Sequence, residues 1–152
     1  MERNNLHKEG EYYVVLLGNF HTPSPHTGFT YEINSNLHKE IARLNKMRTL
    51  YCTLGGPTRR AHATSEDAII AFQNIEMDDI CALVRNVHMR YEDDQAFLLG
   101  QLRFAGPKGQ IAKDMFAEPG KARMAMRSLL KPTVSTHKEI DRIITFDLVY
   151  GE

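Results

Sequence analysis

The stretch from Ile80 to Phe104 constrains the fold more than any other part of the chain. Ile80, Ala82 and Val84 alternate with Cys81 and Leu83, and Val87, Met89 and Tyr91 continue the second side. A repeat of two is the signature of an extended strand with its side chains on opposite faces. Tyr91-Glu92-Asp93-Asp94-Gln95 is a polar turn, and Ala96 to Phe104 supplies a returning strand. This is the clearest hairpin in the sequence.

Other segments add sheet and short helices around it. Tyr12-Tyr13-Val14-Val15-Leu16-Leu17 is aromatic and β-branched and is closed by Gly18-Asn19. Its lack of alternation predicts a strand covered on both faces. Two prolines and a glycine between His21 and Gly28 make that stretch a loop. Asn34 or Ser35 caps a helix with apolar positions Leu37, Ile41 and Leu44, ending near Asn45. Leu50 to Leu54 reads as a strand stopped by Gly55-Gly56-Pro57, and Thr58 to Thr64 as a basic, polar loop.

Thr64 or Ser65, followed by Glu66 and Asp67, suits a helix start, because acids oppose the positive end of the helix dipole. Ala68 to Phe72 is then its buried part, a strand being the other option for so short an apolar run. Ala105 to Gly109 breaks the returning strand; Ile111, Met115 and Phe116 mark a short helix ended by Pro119-Gly120. Lys121 to Leu130 alternates Arg123, Ala125 and Arg127 against Ala122, Met124, Met126 and Ser128. After a linker from Pro132 to Lys138, Ile140 to Tyr150 forms a last strand with Ile144, Phe146 and Leu148 on one face.

About six strands with two or three short helices predict a β-rich α+β domain, a barrel closed by the terminal strand. Residues 1–10 are expected to be a flexible N-terminal segment and residues 11–152 a single globular domain. A chain of 152 residues with 42% hydrophobic and 25% charged residues suits one folded unit. Nineteen Lys+Arg balance nineteen Asp+Glu, which argues against a general polyanion binder. Two cysteines, Cys52 and Cys81, are too few for a disulfide scaffold and fit a reducing compartment. No apolar run approaches the ~20 residues of a membrane span, and Met1 to Gly10 lacks the apolar centre of a secretory signal. These features predict a soluble intracellular protein.

Motifs that carry chemistry are sparse. Seven histidines are present, two of them (His21 and His26) in the Pro-rich loop, but no HxH, HExxH or Cys-His spacing orients them as ligands. No metal or cofactor is expected. Gly106-Pro107-Lys108-Gly109 before a helix reads as a turn rather than a phosphate cradle, since the GxxxxGK[ST] pattern is missing and Pro107 removes a donor. Arg59 and Arg60, with Arg123 and Arg127 further on, define a candidate binding surface, for which a solvated sheet face is the plainer reading. Ser128 and His62 are the weak candidates for a nucleophile and its base, and neither lies in a GxSxG elbow. Cys52 and Cys81 sit in apolar strands, where inert thiols are expected.

The order of segments resembles the prohead (capsid maturation) proteases of tailed bacteriophages, whose fold is similar to the herpesvirus assemblin proteases. Tyr13 to Asn19 and Tyr31 to Leu44 look like the family's first strand and helix. Leu54-Gly55-Gly56-Pro57 takes the place of its Leu-Gly-Glu segment leading to His-Pro, and Leu83 to Phe104, with Gly100, that of its long hairpin. Pro107-Lys108-Gly109 and Ile111 to Phe116 match its Pro-x-Gly turn and helix, and Ile143 to Val149, around Asp147, its terminal strand. The family's nucleophile strand reads approximately Gly-Val-Ser-Ser-Arg-Gly.

Laying Arg127 on that arginine puts Ala125 at the nucleophile position. Thr58 and Arg59 stand where a histidine should follow Pro57, with His62 displaced by several positions. The resemblance therefore implies an assemblin-like barrel without protease activity. Such a protein would act by protein–protein binding in capsid assembly or as a virion component. Its partners would be phage capsid or scaffold proteins or a host protein, its location the host cytoplasm or the virion, and homo-oligomers are compatible with it. Two alternatives stand beside this reading. One is an active serine endopeptidase of capsid maturation using Ser128 and His62. The other is a host-directed effector that binds a host protein or nucleic acid through the Arg123/Arg127 face.

Overall fold

A computed structural model describes residues 7–20, 22–23, 28–55, 70 and 72–150. Among the described residues, nine strands and two complete helices are defined, apart from a short 3-10 turn at Met77–Asp79. The strands are β1 (His7–Glu9), β2 (Tyr12–Asn19), β3 (Thr30–Tyr31), β4 (Leu50–Leu54), β5 (Ile80–Glu92), β6 (Gln95–Phe104), β7 (Ala122–Leu130), β8 (His137–Lys138) and β9 (Ile140–Tyr150). The helices are α1 (Ser35–Lys46) and α2 (Gly109–Ala117). Seven strands form one sheet in the order β1-β2-β6-β5-β4-β9-β7, and β3 and β8 form a small parallel pair. Within the large sheet every pairing is antiparallel except β4 with β9. The sheet curls until β7, at its far edge, approaches β2 without hydrogen-bonding to it, which makes a half-barrel.

The six strands expected from the sequence are the six long ones. The other three have two or three residues each, too few to show a period. Residues 7–9 already pair with β2, so the ordered sheet starts ahead of the boundary expected at residue 11. Strand β2 is not covered on both faces: Val15 and Leu17 are buried while Val14 and Leu16 are half-buried. In α2, Ile111 is 50% exposed and Ala112 takes the core position. Of the expected helix after Ser65, residues 70, 72 and 73 are helical, and Ile70 is 57% exposed rather than buried; the rest lies outside the described residues.

Helix α1 starts where Asn34 Oδ1 accepts the Leu37 N–H at 3.0 Å, an N-cap bond that satisfies one of the helix's orphan donors. Its buried stripe is Leu37, Ile41 and Leu44, as the four-and-three spacing requires. The same helix also completes two irregularities of the sheet. A bulge in β5 leaves Val87 without a ladder partner, and Asn45 supplies one: Nδ2 donates to Val87 O and Oδ1 accepts from Val87 N–H, both at 2.7 Å. At a bulge in β9, Ile143 N–H donates to Glu40 Oε1 at 2.9 Å while Arg43 Nη2 donates to Ile143 O.

That second bulge corrects the expected face of β9. The register steps from Arg127↔Thr145 to Ser128↔Ile143, so Ile144 is the extra residue and Ile143, fully buried, joins Phe146 and Leu148 in the core. Glycine is required at Gly106, where φ is +83° and a Cβ would lie 2.7 Å from Ile80 O.

Candidate functional site

The site is a row across three strands. Ala125 of β7 is paired with Asp147 of β9, and Asp147 with Thr53 of β4. Strand alternation puts Arg127 on the same face of β7 as Ala125, and the even-numbered Met124 and Met126 on the other, where they pack into the core. All five N–H donors of Arg127 are used. Nε and Nη2 grip Asp147 Oδ2 and Oδ1 at 2.9 and 2.6 Å, and Nη2 also donates to Thr53 Oγ1 at 2.9 Å. Nη1 donates to Phe72 O at 3.2 Å and Asn74 O at 2.7 Å. The Thr53 hydroxyl donates to Asp147 Oδ1 at 2.7 Å, which closes the network.

Thr53, Arg127 and Asp147 are 1%, 3% and 5% exposed, and Ala125 is 8% exposed. A buried arginine is tolerated because each donor has an acceptor and the carboxylate cancels its charge. The expectation of a binding surface through Arg127 is thereby corrected: this guanidinium faces no solvent. Arg123 is only half-buried, and Arg59, Arg60 and His62 lie outside the described residues.

Ser128 is half-buried on β7. The adjacent bulge lies in β9, not β7, so β7 keeps its alternation and Ser128 stays on the Met124/Met126 side, away from the row. The two cysteines are buried near the same carboxylate. Burial pushes the Cys52 thiol well above its usual range, with Cys81 and Asp147 adding to the shift. Burial, followed by the Asp147 charge, takes Cys81 up to about 12. Neither offers a thiolate. Among the described residues no group of three or more His, Cys, Asp or Glu is placed to hold a metal ion, and no helix is long and apolar enough to cross a membrane.

Sequence reasoning aligned Arg127 and Asp147 with family positions but missed their pairing and the part played by Thr53. The available signal was that Thr53 and Asp147 are polar residues inside apolar strands, where an unpartnered polar group is costly.

The half-barrel with this row is a prohead-protease-like fold. It is similar to the bacteriophage T4 capsid assembly protease, gp21, with a TM-score of 0.58 over 93% of this chain and 82% of that one at 14% sequence identity. Residues 2–152 match the Peptidase S80 family, and the chain belongs to that family. No curated protein sequence matches it.

Proposed function

We propose that this chain is a non-enzymatic member of its family, acting by protein–protein binding in phage capsid assembly or as a virion component. Its partners on this reading are capsid or scaffold proteins, met in the host cytoplasm or in the particle. One observation carries the reading: at the position laid on the nucleophile stands the Ala125 methyl, directly across from a carboxylate already engaged by Arg127 and Thr53. A methyl has no lone pair with which to attack a carbonyl. Deleting the nucleophile alone costs an enzyme of this kind on the order of a millionfold in rate. Asp147, bound on both oxygens, has a structural task in place of orienting a base. Binding needs only a complementary surface with a desolvated centre and a polar rim.

A serine-reactive fluorophosphonate probe tests this. The wild-type chain is expected to remain unlabelled, and capsid or scaffold proteins expressed with it to remain uncleaved while one of them co-purifies. Labelling that Ser128→Ala abolishes would overturn the reading in favour of an active endopeptidase.

A further inference from the structure

On the β2-β6 side of the sheet, a cleft of about 300 Å³ opens between the start of β2, the end of β6 and the first turns of α2. Tyr13 and Phe104 are among its walls, their rings 5.6 Å apart and tilted by 57°. Arg103, Lys113 and Gln110 add polar groups, and Glu11 contributes the one acidic side chain.

The charges in this cleft are poorly matched. Lys113 makes no ion pair among the described residues. The ion pair that Arg103 makes is long, Nη1 to Glu11 Oε2 at 4.0 Å, with a Glu11 side chain 82% exposed. Exposed pairs of this kind contribute little and are easily exchanged. Arg103 Nε is buried and has no hydrogen-bond partner among the described residues. The Tyr12 ring lies 5.8 Å from its guanidinium carbon. The end of the side chain that reaches the cleft is Nη1, and a carboxylate seated there would make a shorter charge-assisted contact than the distant Glu11 does.

We propose that this cleft binds an acidic side chain of a peptide. The carboxylate replaces Glu11 against Arg103 and is also met by Lys113, while its methylenes lie on Tyr13 and Phe104. Size favours a side chain over a nucleotide: the volume is at the bottom of the ~300–1,000 Å³ range of small-molecule pockets. The tilted aromatic pair also presents no flat platform for a base. The inference does not depend on whether the chain hydrolyses anything.

The test is an NMR titration of the full chain with a terminally blocked Gly-Glu-Gly-Glu-Gly peptide, its Gln counterpart, and inorganic phosphate. The acidic peptide is expected to shift the amides of residues 103–113 saturably, with no such shift from the Gln peptide or phosphate. Lys113→Glu, a change on the exposed side of α2, is expected to weaken binding about tenfold, the scale of one charge-assisted contact. Glu11→Gln is expected to tighten binding, because it removes the resident competitor. Equal binding of the Gln peptide, shifts elsewhere, saturation by phosphate alone, no binding, or indifference to both substitutions would each overturn the proposal.

Discussion

Arg127 and Arg103 lie in the same curled sheet and show two ways of placing a guanidinium. On the β4-β9-β7 side, Arg127 is buried and spends every N–H, on one carboxylate, one hydroxyl and two carbonyls. On the β2-β6-β5 side, Arg103 is partly exposed, has no partner for Nε among the described residues and touches its acid only at 4.0 Å. The difference separates architecture from availability. A side chain whose every donor is answered holds strands and a crossing segment in place; one with unspent donors is free to answer something else.

The comparison breaks if the two arginines prove energetically alike. Arg127→Ala and Asp147→Ala are each expected to cost about 3–5 kcal/mol in urea unfolding, because each leaves a buried charge alone. The double change Arg127→Met with Asp147→Leu is expected to cost less than either single change, since no unpaired charge remains. On the cleft side the largest effect should come from backbone contact instead. Gly106→Ala places a methyl against Ile80 O at a positive φ, for an expected loss of about 1–3 kcal/mol by the same measurement.

Arg103→Met is expected to change stability by less than ~1 kcal/mol, and a larger loss would mean that this arginine, too, is structural. The smallest effect concerns pH at α1. Burial alone would raise the Glu40 carboxyl, but hydrogen bonds from Arg43 and the Ile143 N–H outweigh it and hold the group below its usual 4.5. Its contribution is therefore complete above the unfolded value and disappears as pH falls through the lower folded one. Glu40→Gln is expected to flatten the decline in urea midpoint as pH falls below the usual carboxylate range.

Much of the fold was legible because it is periodic. The spacing of Leu37, Ile41 and Leu44 follows from one face meeting a core, and the alternation from Ile80 to Val84 marks a strand, but the β5 bulge after Arg85 turns Val87 into the core as well. Ile144 misled for the same reason: a bulge breaks the period, and nothing local to residues 140–150 announces it. Its cause is a helix more than ninety residues earlier, whose Glu40 and Arg43 take the backbone of Ile143. The site was legible as residue types, an alanine two places before an arginine and an aspartate in the last strand. What those residues do to one another depends on the order β4-β9-β7, which pattern alone did not supply.

The parallel seam between β4 and β9 bears on how the molecule is made. Thr53 meets Asp147 across 94 positions of chain, so nothing on the ribosome can complete that seam until β9 has emerged. Pairings so distant in sequence lose much chain entropy before they gain contacts, and such topologies fold slowly. Until then β4 has one edge unpaired and Arg127 lacks its acid. Locking of the polar row must therefore wait for β9, and a nascent chain stalled before it would present open strand edges to its neighbours.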